Sequence, residues 1–325
     1  MKTAIGAIAG IGSLSASHNS KHALRFLRGK SGQKNQALIK VLGTAQDGGI
    51  PQIGCYCQNC QRARQNPKFL RLRPSLAILD PRAKKMFIVD ASPDISLQYD
   101  LAHERLHRAR AGKKNFPDGI LLTHAHIGHY TGLMFYGYEA LSADKLPVYC
   151  SQRMGEFLTD NGPWSQLVKF QNISIHPIEP DNQVSLTPEI SVTPFLVPHR
   201  DEYSDTLGFK IAGPKKKLLY IPDIQSWKAW GRDIREEVEN VDFALLDGTF
   251  YSPDELPGRD ISRIGHPFIT TSIDTLRQIS KKGKTQICFT HLNHSNLALD
   301  PEGDAIKHIL NEGFALAQEG MELSL

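Results

Sequence analysis

Four short apolar runs, far apart in the chain, each lead into a histidine or an aspartate. Ile120-Leu121-Leu122 enters Thr123-His124-Ala125-His126-Ile127-Gly128-His129, Val197-Pro198 enters His199, Tyr220-Ile221-Pro222 enters Asp223, and Cys288-Phe289-Thr290 enters His291. Apolar runs of this length bounded by turn residues read as strands. Core packing favours buried apolar side chains and gives no reason for four strands to end on an imidazole or a carboxylate. A common sheet edge that gathers all four does, because these groups together form a metal centre. His124 and His126 flank one residue, so a chain leaving a strand aims both rings at one ion, and His129 follows where a helix can begin.

The remaining pattern supports a helix-covered sheet architecture. A strand over 37–42 precedes Gly43-Thr44-Ala45-Gln46-Asp47-Gly48-Gly49, a turn-rich loop expected to form a wall of the site. It lacks the Gly-Lys-Ser/Thr ending of a nucleotide-binding loop. A hairpin is expected from strands over 76–79 and 86–89, a helix over 95–109, and a second helix over 132–141. His103 and His107 are four apart on the first helix, amid arginines, and read as a surface pair. A strand at 148–150 and a helix from about 152 follow, then strands over 191–197, 217–221, 243–246 and 286–290. The fold class is α/β, with sheets covered by helices.

The chain has 325 residues and no shift in composition that divides it, which implies one domain over 37–325 after a mobile leader over 1–36. With 40% hydrophobic and 22% charged residues and a net charge of +4, nothing argues for nucleic acid as a partner. Lys215-Lys216-Lys217 reads as part of a solvated hairpin turn. No apolar stretch approaches the ~20 residues that span a bilayer. Lys2, the apolar segment after it and Ser15-Ala16-Ser17 make a weak export signal. A cytoplasmic location is expected, with export to the periplasm as the alternative.

Of five cysteines, Cys150 and Cys288 lie in apolar runs and read as core residues, whereas Cys55, Cys57 and Cys60 crowd too closely for an ordinary disulfide framework. Three thiolates are soft donors suited to tetrahedral zinc, and one further ligand would close the shell.

The ordered His and Asp residues resemble the metallo-β-lactamase superfamily, an αββα sandwich with a His-x-His-x-Asp-His signature followed by separate His, Asp and His ligands. Within it, the chain looks most like the pyrroloquinoline quinone biosynthesis B family. The residues that carry this likeness are Val41-Leu42-Gly43-Thr44-Ala45-Gln46-Asp47-Gly48-Gly49-Ile50-Pro51-Gln52, the cysteine cluster, Asn161-Gly162-Pro163-Trp164, Leu246-Asp247-Gly248-Thr249-Phe250 and Gly265-His266. The cysteine cluster with Gln61-Arg62-Ala63-Arg64 is also similar to the cyclic phosphodiesterase of the phosphonate pathway. The resemblance implies a first ion on His124, His126 and His199 and a second on His129 and His291, with Asp223 bridging. It also implies His294, in His291-Leu292-Asn293-His294, as the fourth ligand of a structural Cys3His zinc, and His266 as a general acid or substrate-binding group. Asp247 and Asp90 are expected to hold loops by hydrogen bonds. Gly128 stands where the signature has Asp, so the second ion is expected to be weaker, absent, or completed by water or another residue.

The chemistry implied is that of a metal-dependent hydrolase with one or two zinc or iron ions, in which water on the cation ionises to a hydroxide nucleophile. Two alternatives follow from the same resemblance: an iron-dependent hydroxylase of a tyrosine-derived precursor of the quinone, and a non-catalytic carrier that has kept the fold. In each case the ligand is a small-molecule or peptide-derived compound.

Overall fold

Strands β1 (Leu38–Gly43), β2 (Ser75–Asp80) and β11 (Phe243–Asp247) are buried at every position, so both faces of their sheets are covered. The computed structural model describes residues 36–103, 115–260 and 264–325. Residues 1–35 of the leader expected over 1–36, His107 and the distal part of the helix expected over 95–109 lie outside them.

One seven-stranded sheet has the order β14-β1-β2-β3-β4-β5-β6, with β3 (Lys85–Val89), β4 (Gly119–Leu121), β5 (Leu146–Cys150), β6 (Ile173–Pro177) and β14 (Glu322–Ser324). The other has the order β13-β12-β11-β10-β9-β8-β7, with β7 (Val184–Ser185), β8 (Ser191–Leu196), β9 (Leu207–Ala212), β10 (Lys217–Ile221), β12 (Gln286–Thr290) and β13 (Ala315–Leu316). Among the described residues, the α-helices are α1 (Gln58–Gln65), α2 (Ile95–His103), α3 (Ile127–Tyr130), α4 (Gln152–Asp160), α5 (Trp164–Lys169), α6 (Ile234–Glu239), α7 (Ile269–Lys282) and α8 (Asp304–Asn311).

Alternation along the strands builds four layers. Ile39, Val41, Ile78 and Val89 face Phe209, Ile211, Tyr220 and Leu245 between the two sheets. Their neighbours Leu42, Ile88, Ile120 and Val148 point the other way, onto Ile95, Met154, Leu158 and Leu167 of α2, α4 and α5. On the far side, Leu219, Ile221, Leu246 and Phe289 pack against α6, α7 and α8 through Val238, Ile273, Leu276 and Ile309. The result is the expected αββα sandwich. Cys150 and Cys288 are core residues within it. The lysine run lies at the β9–β10 turn, which the Gly213 N–H closes by donating to the Lys216 carbonyl at 3.0 Å.

The expected helix over 132–141 is a short 3-10 turn, Thr131–Tyr136, followed by irregular chain. Gly132 approaches the β3–α2 connection so closely that a Cβ on it would stand 2.0 Å from the Ser92 carbonyl oxygen, and its N–H donates to the Ala91 carbonyl at 2.8 Å. That backbone contact competes with continuous i→i−4 bonding.

Strand direction locates the site. β3 and β4 are parallel, and β1 is antiparallel to β2, which is antiparallel to β3. Likewise β10, β11 and β12 are parallel, and two antiparallel steps relate β8 to β10. The carboxyl ends of β1, β3 and β4 therefore share one rim of the first sheet, and those of β8, β10, β11 and β12 share one rim of the second. Among the described residues, no helix is long and apolar enough to cross a membrane.

Candidate metal centre

All four strand ends that carry a histidine or an aspartate converge where the two rims meet. The Asp223 carboxylate, just past β10, is at the centre: its Oδ2 lies 3.2 Å from His199 Nε2, 3.5 Å from His124 Nε2 and 3.5 Å from His291 Nε2. His126 turns its Nδ1 inward, 3.1 Å from His199 Nε2. The donor atoms of His124, His126, His199 and Asp223 all lie within 4.8 Å of one another, as do those of Asp47, His129 and His291. Donors held about 2.1 Å from a tetrahedral cation stand about 3.4 Å apart, so the first group has the spacing of a coordination shell.

The unpaired atoms point the same way. Nε2 of His124, His129 and His291 is buried and has no hydrogen-bond partner, although a buried ring nitrogen ordinarily finds one. The opposite ring nitrogens are anchored. His291 Nδ1 is 2.8 Å from Thr249 Oγ1, His124 Nδ1 is 3.0 Å from Thr123 Oγ1, and His129 Nδ1 is 2.7 Å from Asp90 Oδ2. Anchoring one nitrogen aims the other, which is how metal-binding imidazoles are oriented. His291 and Asp90 also hold φ values of 60° and 64°, a left-handed conformation that L-residues keep only when their surroundings enforce it.

Charge favours a cation here, because Asp47, Asp90, Asp223 and Asp247 crowd around the imidazoles. Burial works against ionised Asp223, but His291, His199 and His266 outweigh it and hold its pKa well below the usual carboxylate range. Burial pushes His124 well below its ordinary value and lowers His126 and His291. Burial also opposes charge on His129, yet Asp90, Asp47 and Asp223 together raise that ring to about 9. His266 is likewise raised to about 9, because Asp247 and Asp223 overcome its burial.

His266 joins this cluster from the loop before α7. Its Nδ1 lies 2.9 Å from Asp247 Oδ2 and 3.2 Å from Asp223 Oδ1. Asp247 also accepts from the Ile224 N–H at 3.1 Å and from the Thr249 N–H and hydroxyl at 2.9 and 2.7 Å, the loop-holding role expected of it. The side chains of His126, His266 and Asp47 are 13%, 15% and 17% exposed, whereas those of His124, His129, His199, Asp223 and His291 are at most 2% exposed, so the first three mark the mouth of the site.

Asp47 was not among the candidates read from the sequence, which treated its loop only as a wall. The signal available was an acidic residue amid glycines immediately after a strand of the same rim.

A second cluster joins the early loop to the end of β12. Cys55, Cys57, Cys60 and His294 bring their donor atoms within 4.8 Å. His294 Nδ1 lies 3.3 Å from Cys55 Sγ and 3.5 Å from Cys57 Sγ, near the spacing of about 3.6 Å that mixed sulfur and nitrogen ligands of tetrahedral zinc adopt. Backbone N–H groups of Gln52 and Cys57 donate to Cys60 and Cys55 sulfur at 3.3 and 3.4 Å. Burial pushes the Cys60 thiol up to about 12, while the Cys57 N–H lowers Cys55.

A family model described as the beta-lactamase superfamily domain matches residues 85–292. The coenzyme PQQ synthesis protein B of Methylobacterium sp. (strain 4-46) is 26% identical over 308 residues, covering 88% of this chain and 99% of that protein. Among solved structures, Zn(2+)-bound PqqB from Methylobacterium extorquens superposes with a TM-score of 0.74 at 24% identity, over 89% of this chain and all of the other. A diphosphatase from the PhnP family gives 0.64 at 22% identity, over 89% and 97%. The family match covers more than half of the chain, including strands of both sheets and most of the clustered histidines and aspartates, and on that basis the chain belongs to the metallo-β-lactamase superfamily.

Proposed function

We propose that the chain is a metal-dependent hydrolase, with His124, His126 and His199 holding one ion, His129 and His291 holding a second, and Asp223 between them. The observation that carries this reading is the Asp223 carboxylate, whose Oδ2 lies within 3.5 Å of histidines from both groups. Cations held there supply Lewis acidity, polarising an electrophilic centre and allowing water to ionise near neutral pH. The protein's own residues do the rest. Thr123, Thr249 and Asp90 fix the rings, so little reorganisation is needed when charge develops. His266 keeps its Nδ1 proton between Asp247 and Asp223, which leaves the other ring nitrogen as the one that would meet a leaving group or substrate oxygen at the mouth of the site. The Cys55, Cys57, Cys60 and His294 cluster would hold a structural zinc that ties the early loop to β12.

A second reading is motivated by the likeness to coenzyme PQQ synthesis protein B over 88% of the chain. In it the same His and Asp residues hold iron and serve oxidation of a tyrosine-derived precursor, since imidazole and carboxylate suit either metal. Elemental analysis of the purified chain, combined with two assays, separates the readings. Zinc with turnover of a phosphodiester or lactone panel supports hydrolysis. Iron with oxygen uptake on adding a tyrosine-containing dipeptide replaces it with the oxidative reading. Bound metal with neither activity overturns both in favour of a carrier.

A further inference from the structure

We infer that Asp47 supplies, from the loop after β1, the carboxylate ligand that Gly128 cannot, completing a second ion's site with His129 and His291. The inference rests on the two-ion reading above and names a ligand which that reading lacks.

Three observations carry it. The first is space: a Cβ built on Gly128 would stand 2.4 Å from Asp47 Oδ1, 2.7 Å from its Cα and 3.1 Å from its Cγ. Asp47 therefore fills the volume in which a side chain at position 128 would begin. Gly128 is both the gap in the signature and the condition for this loop to close over it. The second is donor geometry. Asp47 Oδ1 is 3.7 Å from His129 Nε2, and the donor atoms of Asp47, His129 and His291 all lie within 4.8 Å of one another. Nε2 of both histidines is buried with no hydrogen-bond partner. The third is preorganisation. The Gly128 N–H donates to Asp47 Oδ1 at 2.9 Å and the Gln46 side-chain amide to Oδ2 at 2.8 Å, which leaves each oxygen a free lone pair.

The loop is also held at both ends. The Gln46 N–H donates to the Leu292 carbonyl at 2.9 Å and the Leu292 N–H to the Thr44 carbonyl at 2.8 Å, so the segment before Asp47 is laced to the residue after His291. Arg73 Nε donates to the Asp47 carbonyl at 2.7 Å and Nη2 to the Gly48 carbonyl at 3.1 Å, while Nη1 pairs with Asp94 at 3.0 Å. The guanidinium thus grips the backbone of the loop through hydrogen bonds to its carbonyls.

The test is metal loading of the full chain with zinc, read by elemental analysis after gel filtration and by competition with a chromophoric chelator. Asp47→Asn retains an acceptor for the Gly128 N–H and removes the charge, and Asp47→Ala removes both. The expected result is one zinc fewer per chain than the parent in both variants, or a second active-site ion held more than about tenfold more weakly. The Cys3His zinc and the ion on His124, His126 and His199 should stay. Circular dichroism and the retained ions report folding independently of activity. If the parent loads both active-site ions and the variants load both with parental affinity, Asp47 is not a ligand and the two-ion reading survives without it. If the folded parent loads no second active-site ion, the two-ion reading itself fails and the inference falls with it.

Discussion

At the scale of single residues, Asp90 shows how much of the site is orientation. Its side chain is fully buried, and its carboxylate accepts from the Thr123 N–H at 2.8 Å and the Thr123 hydroxyl at 3.0 Å while holding His129 Nδ1 at 2.7 Å. Replacing it with Ala strands these donors in a place water does not reach, at a cost of about 2–4 kcal/mol. Ala also fits poorly at φ 64°, whereas Asn tolerates it. Asp90→Ala should therefore destabilise the fold by that amount. Asp90→Asn should keep most of the stability yet weaken metal binding by about 10–100-fold, because an amide holds His129 less firmly than a carboxylate. Urea denaturation and chelator titration measure the two effects separately. Parental metal affinity in Asp90→Asn would show that an uncharged amide oxygen, with Thr123 Oγ1 3.2 Å from His129 Nδ1, is enough to fix the ring.

At the scale of elements, the cysteine cluster joins parts of the chain that share little core. α1 buries Cys60 and Ala63, and beneath it lies a small satellite cluster of Ala45, Ile50 and Ala63, with Phe69 and Leu299 partly buried against it. With so little burial, a zinc held by Cys55, Cys57, Cys60 and His294 would supply much of the local stability. Cys57→Ser is expected to release one zinc and lower the melting temperature by about 5–10 °C, seen by elemental analysis and calorimetry on one preparation. A variant that keeps its zinc, or melts with the parent, would falsify the structural role. These elements also show what the sequence could reveal. Strands ending on His or Asp were legible because alternation and chain ends are local signals, and His294 was reached only through resemblance. Asp47 was not legible, because its role depends on the loop after β1 folding over Gly128 some eighty residues later. The 3-10 turn at Thr131–Tyr136 was missed for the same reason: apolar spacing suggested a helix, but the Gly132 contact with Ala91 and Ser92 decides the geometry and is invisible in one segment.

At the scale of the whole molecule, the centre is a joint between two sheets. The first sheet and its loops contribute Asp47, Asp90, His124, His126 and His129, and the second contributes His199, Asp223, Asp247 and His291. The sheets also share an inner core that includes Ile39, Ile78, Phe209 and Tyr220, so their association does not depend on a cation. Their spacing at the rim is where a cation is expected to matter, because carboxylates and imidazoles from opposite sheets face one another there in a buried place with several ring nitrogens unpaired. A cation present at about a thousand times its dissociation constant stabilises the folded state by about 4 kcal/mol. At about 2–4 °C per kcal/mol for a domain of this size, that is about 8–16 °C for one rim ion, added to the drop expected for Cys57→Ser when chelation strips every ion. The total drop exceeds the one expected for Cys57→Ser, since chelation empties the rim as well as the cysteine cluster. Zinc added back should restore it. In the stripped protein, hydrogen exchange should accelerate at the carboxyl ends of β4, β10 and β12 and stay slow at mid-strand residues such as Ile78 and Phe209, where burial rather than ligation provides protection. A stripped protein that melts within about 2 °C of Cys57→Ser, with unchanged exchange along the rim, would mean that the inner core alone sets the distance between the sheets.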